Sequence, residues 1–211
     1  MTAGRRKAAP RRERRKEDRP AEIVAAALEL FADKGFGATK MADVAHQAGV
    51  SKATVFVYFP TKEDLFRAVA QTVVKANFER LPAGDGVFAI PLSIFVPLLL
   101  HQAALAGESR VGSMIRLLIA ESRAFPDLAQ VWHDEVVARM LGLLTAAITQ
   151  AQARGEIRAG DPRLHAFSIL GPMLAGVIFR EVFRDARAEL PDLQELAVQH
   201  AQVVLRGLRL D

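Results

Sequence analysis

The chain contains five histidines and no cysteine, which sharply restricts the chemistry it can do. His46, His101, His133, His165 and His200 are scattered over 211 residues, and none forms part of an HExxH pattern. His133-Asp134-Glu135 comes nearest to a metal set, yet neighbours on a helix point apart. Without cysteine there is no disulfide, thiolate metal site or thiol nucleophile. There is no nucleophile elbow and no phosphate loop; Gly84-Asp85-Gly86 reads as a linker. The expectation is a protein that is not an enzyme and uses no metal or cofactor.

A different chemistry is concentrated between Ser51 and Phe59. Val55, Phe56, Val57, Tyr58 and Phe59 form an unbroken run of large residues near Lys40, Lys52 and Lys62. On a helix, Val55 and Phe59 share one side, while Ala53 and Val57 lie on the opposite side, flanked by Thr54 and Phe56. The first side is core. The second is a stripe of small and apolar tips among cations, which suits a helix in the DNA major groove. Apolar tips meet thymine methyls there, and lysine donates to guanine or phosphate. Capping hydroxyls and a helix N-terminus favour phosphate oxygens. The same spacing also describes an ordinary helix corner with a small apolar patch.

These residues need helices to place them. Pro20 reads as a first-turn proline, followed by Ile23, Ala27, Leu30 and Phe31 at helical spacing, with Gly35 as the stop. Thr39 is the expected cap of a short second helix that Gly49 closes, and Ser51 caps a third. Thr61 with Asp64 makes a capping-box pattern for a fourth, which continues through Leu65, Phe66, Val69 and Val73 to Pro82. Further helices are expected over Val87–Ala106, Arg110–Ala124, Leu128–Arg154, Pro162–Arg187 and Pro191–Leu208. The predicted fold is all-α, with about nine helices. It divides into a disordered basic arm (1–18), a helix-turn-helix unit (19–66) and a helical ligand-binding and dimerisation domain (67–211). Val87 to Gly107 holds no Asp, Glu, Lys or Arg, but its dense apolar part is only 14 residues. That is short of the roughly 20 a membrane span needs, so a buried helix is expected.

Charge is uneven. Residues 1–20 carry nine Lys/Arg against three acids, a net +6 in a chain of +4 overall, so the remainder is −2. A basic block beside a near-neutral body suits a polyanion partner at one end. Arg5 to Arg19 would lie along phosphates or in the minor groove, or would simply aid solubility.

Gly35 to Phe66, GFGATKMADVAHQAGVSKATVFVYFPTKEDLF, resembles the DNA-binding domain of TetR/AcrR-family transcriptional regulators. The shared pattern includes Gly35, Phe36, Thr39, Asp43, Ala45, Ala48, Gly49, Val50, Ser51, Thr54, Tyr58, Phe59, Lys62, Glu63 and Leu65. The resemblance implies base reading by Lys52, Ala53 and Val57. It implies phosphate contact, or support for it, by Thr39, Thr54, Tyr58 and Lys62. Lys40, Ser51 and Phe56 complete the expected DNA-contacting set. Some positions depart from the pattern: Lys40 for a common threonine, Ala42 for a frequent arginine, Ala53 for the usual glycine and Phe56 for the usual tyrosine.

Arg116 to Val136 and Gly155 to Phe179 look like the C-terminal domain of AcrR-like regulators. By that resemblance the last two long helices, roughly 162–208, pair with a second subunit. Gly171, Ala175 and Gly176 would allow close helix approach there. The expected function is a homodimeric repressor on a palindromic double-stranded DNA operator, released by a small, largely apolar molecule. Its place is the cytoplasm, with no membrane partner. The alternatives are an activator or a ligand-independent architectural DNA-binding protein. Ligand candidates are Phe95, Leu99, His101, Met114, Arg116, Leu118, Trp132, Val136 and Phe167, with Phe88, Glu121, His133 and Met140 as lesser choices. By type alone each suits core packing or a surface ion pair better than a ligand contact.

Overall fold

The computed structural model describes residues 11–78, 90–107 and 110–209. Among them the structure is all-helical, as expected. The helices are α1 (Arg11–Lys34), α2 (Met41–Gln47), α3 (Lys52–Tyr58), α4 (Lys62–Phe78), α5 (Leu92–Gly107), α6 (Arg110–Glu121), α7 (Pro126–Ala153), α8 (Pro162–Phe183) and α9 (Leu193–Leu208). Helix α7 widens into one π turn at His133–Val137. The linker at Gly84-Asp85-Gly86, the candidate Phe88 and arm residues 1–10 lie outside the described residues.

Several ends follow from local chemistry. The Ser51 hydroxyl accepts the Thr54 amide at 3.1 Å and starts α3. Thr61 and Asp64 close a reciprocal box at the start of α4: the Asp64 amide donates to the Thr61 hydroxyl at 3.0 Å, and the Thr61 amide to the Asp64 carboxylate at 3.2 Å. Asp161 and Asp192 cap α8 and α9. Gly49, at φ +63, makes the left-handed turn between α2 and α3.

Other ends differ from expectation. Helix α1 begins at Arg11, so residues 11–18 are helical rather than disordered and Pro20 lies inside the helix. Long-chain Arg, Glu and Lys are good helix formers, which a reading based on charge density undervalues. The cap of α2 is Lys40, whose amide donates to the Asp43 carboxylate at 3.1 Å. Thr39 has been drawn into the core instead. Helix α8 stops at Phe183, before a turn over residues 184–187.

Two apolar cores hold the helices. The first joins α1 to α4 with α6 and the first half of α7 around Phe31, Phe36, Val55, Phe66, Met114 and Trp132. Phe36 is its hub, with ring centroids 5.3 Å from Phe31, 5.8 Å from Phe66 and 5.3 Å from Phe125. Helix α4 therefore runs through the expected boundary at 66/67 and belongs to both parts. The second core joins α5, the rest of α7, α8 and α9 around Phe95, Leu100, Ile148, Ile169 and Leu193. Gly176 is used inside the chain: a Cβ there would come within 2.8 Å of Leu196 and 3.0 Å of Leu193. Gly171 and Ala175 are exposed.

Candidate nucleic-acid interface

Helix α3 has seven residues, too few to be stable alone. It is held by its inner side, where Val55 is fully buried and Phe59 nearly so. The α2–α3 turn fixes its direction: the Val50 amide donates to the Ala45 carbonyl at 2.9 Å, just past Gly49. The outer side is open. Lys52, Ala53 and Phe56 are exposed, and Val57 is 78% exposed. The Lys52 ammonium lies 5.7 Å from the Phe56 ring centroid, which joins cation and apolar tip in one surface. Lys40 and Ser51 are exposed beside it; Thr54 and Tyr58 are half-buried. The Thr54 and Ser51 hydroxyls are hydrogen-bonded at 2.8 Å.

Two of the ten expected DNA contacts point inward. Thr39 is buried, its hydroxyl donating to the carbonyls of Gly35 at 2.7 Å and Leu30 at 3.3 Å. Lys62 sits 4.2 Å over the Phe36 ring and donates to the carbonyls of Phe36 (2.7 Å), Thr39 (3.0 Å) and Gly37 (3.4 Å). Those three acceptors match its three N–H donors and leave none for phosphate. Burial pushes the Lys62 ammonium below the usual lysine pKa, against the opposing pull of the Glu63 and Glu121 carboxylates. Both residues hold the loop before α2 through its carbonyls. The resemblance implied phosphate contact or support for it, and these carbonyl contacts are of the supporting kind.

The C-terminal part grips the same loop. Glu121, at the end of α6, accepts the Phe36 amide at 3.0 Å and the Gly37 amide at 2.6 Å. Arg116 donates to the Ala32 carbonyl in the last turn of α1 at 3.1 Å, and its Nε lies 3.5 Å from Glu181 on α8. At the π turn, the nearly buried Glu135 accepts from Arg67 of α4 and from Arg139, each at 3.2 Å. Sequence reading missed these bridges between the two parts. Glu121 is separated from Phe36 by 85 positions, and nothing in the local pattern signals such a pair.

The ligand candidates do not share one wall. Phe95 and Leu99 belong to the second core, whereas Met114, Trp132 and Val136, with Leu118 packed against them, belong to the first. His101 is exposed, Phe167 is 52% exposed, and Arg116 is engaged as above. A cleft of about 160 Å³ lies between α6 and α8, lined by Ile115, Arg116, Ile119, Ala120, Ile178, Glu181 and Val182; Arg116 is its one member from the expected set. The 133–135 triplet also departs from expectation. His133 and Asp134 do meet, at 2.9 Å, while Glu135 turns inward to its arginines. Among the described residues no group of three His, Asp or Glu could hold a metal ion.

Comparison with known proteins agrees with this geometry. Residues 23–69 match the model of the tetR family of bacterial regulatory proteins. Residues 98–205 match that of the C-terminal domain of AefR-like transcriptional repressors. The Escherichia coli K12 regulator RutR is 29% identical over 183 residues, 80% of this chain and 78% of that protein. The Bacillus subtilis fatty acid metabolism regulator protein is 28% identical over 160 residues, 74% and 81%. The structure of Bacillus subtilis FadR in complex with stearoyl-CoA superposes with a TM-score of 0.74 at 23% identity, covering 90% of this chain and 99% of that one. The chain thus belongs to the TetR family. It is a DNA-binding transcriptional regulator, not an enzyme.

Proposed function

We propose that the protein is a homodimeric repressor, held on a palindromic operator and released by a small molecule with a large apolar part. One observation carries the dimer. On α8, Leu164, Phe167, Leu174 and Val182 are 48–64% exposed, and on α9 Val198 and Val203 are 61% and 62% exposed. Such a surface demands cover, and two copies of α8 and α9 packed as a four-helix bundle supply it. Helices α7 and α8 are also long and apolar enough to cross a bilayer. Against that stand the buried Glu135 and its partner Arg139 on α7, and Arg180 and Glu181 on α8. The proposed site of action is the cytoplasm, beside the DNA.

In the dimer two α3 helices would reach successive major grooves, about 34 Å apart. Lys52, Ala53, Phe56 and Val57 would read bases; Lys40, Ser51, Thr54 and Tyr58 would meet phosphates, joined by cations of the 5–19 arm. The AefR-like repressor match supports repression. The stearoyl-CoA bound by Bacillus subtilis FadR supports an acyl chain as the apolar part of the ligand.

The test is footprinting on genomic fragments, with sedimentation of the complex. The expected result is a two-fold repeated site bound by a dimer, weakened by long-chain acyl compounds and not by polar metabolites. A monomer on an unrepeated site would overturn it.

A further inference from the structure

The loop between α1 and α2 is held by opposite charges from two sides. Lys62 serves its carbonyls; Glu121 lays one carboxylate oxygen on the Phe36 amide and the other on the Gly37 amide. The loop is shaped around that carboxylate. Gly35 has φ +88, and a Cβ there would collide with Glu121 Oε1. A Cβ on Gly37 would stand 3.2 Å from Glu121 Oε2 and 3.2 Å from the Phe125 ring. A side chain at Gly37 would therefore press on both the Glu121 carboxylate and the Phe125 ring. Helix α6 also brings Arg116 to the Ala32 carbonyl. It thus offers a cation to a carbonyl at the end of α1 and an anion to the amides just beyond, the sign each backbone dipole favours.

We infer that Glu121 is a positioning residue for operator binding: it sets the start of α2, and through it α3, without touching DNA. The inference rests on the α2–α3 surface being the DNA-reading unit. The loop it holds ends at Thr39, anchored on the Gly35 carbonyl, and Lys40 follows at once as the first boundary residue of α2. Loop, Lys40 and the N-terminus of α2 therefore move together. Helix α3 packs on α2 and takes the same shift.

The test uses the full-length protein and a genomic fragment that the wild type selects. The variants are Glu121→Ala, Glu121→Gln, Gly37→Ala and the Glu121→Ala/Gly37→Ala pair. Removing an acid makes the protein more positive, which alone would tighten binding to DNA. The positioning role predicts the opposite: Glu121→Ala loses about tenfold in operator affinity, as expected for two charge-assisted hydrogen bonds. Hydrogen exchange over residues 35–40 speeds up, while the dimer persists and the melting temperature falls by no more than about 4 °C. Glu121→Gln keeps the volume but turns a donor toward one amide, so it loses affinity too; it carries the test if the alanine variant unfolds. Gly37 has no left-handed φ, so alanine there meets only side chains. Gly37→Ala weakens the wild type and weakens Glu121→Ala much less, because one atom it strikes is gone.

Additive losses, or wild-type affinity in both Glu121 variants, would overturn the positioning role alone. A wild type that selects no fragment, or one whose binding ignores Lys52 and Val57 substitutions, would overturn the DNA-reading surface and this role with it.

Discussion

Helices α3 and α8 both expose large apolar side chains, and their surroundings differ. On α3 the apolar surface is two residues, Phe56 and Val57, beside the cations Lys40 and Lys52. On α8 it is a stripe of Leu164, Phe167, Leu174 and Val182, spaced by three, seven and eight residues, and residues 166–179 carry no charge. Exposure alone does not name a partner; the charge around the exposed group does. An apolar tip among ammonium groups suits a polyanion with methyl groups in its groove. An uncharged stripe along a long helix suits another apolar surface of equal length.

The contrast can be broken most sharply at Leu174. Leu174→Arg puts a charge in the middle of the α8 stripe. It should turn the dimer into monomers in sedimentation and cut operator affinity by about 100-fold or more, since one half-site then binds alone. Leu174 is 48% exposed, so the chain's own fold should survive. A stable dimer of this variant would remove the stripe as the interface.

Salt separates the two surfaces next. Deleting residues 1–10 takes away Arg5, Arg6 and Lys7. The slope of log affinity against log salt should flatten by up to about 5, since a dimer loses the three cations twice. Dimerisation should keep its small salt response. An unchanged slope would leave the arm a solubiliser.

The smallest expected effect sharpens the α3 reading. Val57→Asn removes a methyl contact and offers an amide that pairs with adenine, worth about 1–3 kcal/mol of base discrimination. In binding-site selection the preferred base should move from thymine under Val57, with stability within about 0.5 kcal/mol because the side chain is exposed. No thymine preference, or none lost, would sink the apolar reading of the groove.

The legible parts of the molecule share one trait. The inner and outer sides of α3, the Ser51 cap, the Thr61–Asp64 box and the Gly49 turn depend on residues within a few positions of each other. Their backbone geometry follows from spacing and side-chain type. Thr39 and Lys62 were harder, because a hydroxyl or ammonium near a helix start has both backbone carbonyls and a distant phosphate as possible partners. Folding placed five carbonyls within their reach. The ligand candidates failed to converge for a related reason. A helix with apolar residues on several sides, as in α5, does not say from its own pattern which side meets which core.

The sequence by itself settled the all-helical class, the helix-turn-helix and the chain's character as a DNA-binding regulator, since those rest on short-range periodicity and on a pattern within 32 residues. Only the tertiary structure decided that Gly37 makes room for Glu121, that Arg67 meets Glu135, and that Gly176 packs inside the chain while Leu174 faces out. A hydrogen bond acts over about 3 Å in space, and the distance along the chain does not enter it. Which remote groups come within that reach is fixed only when the two cores close.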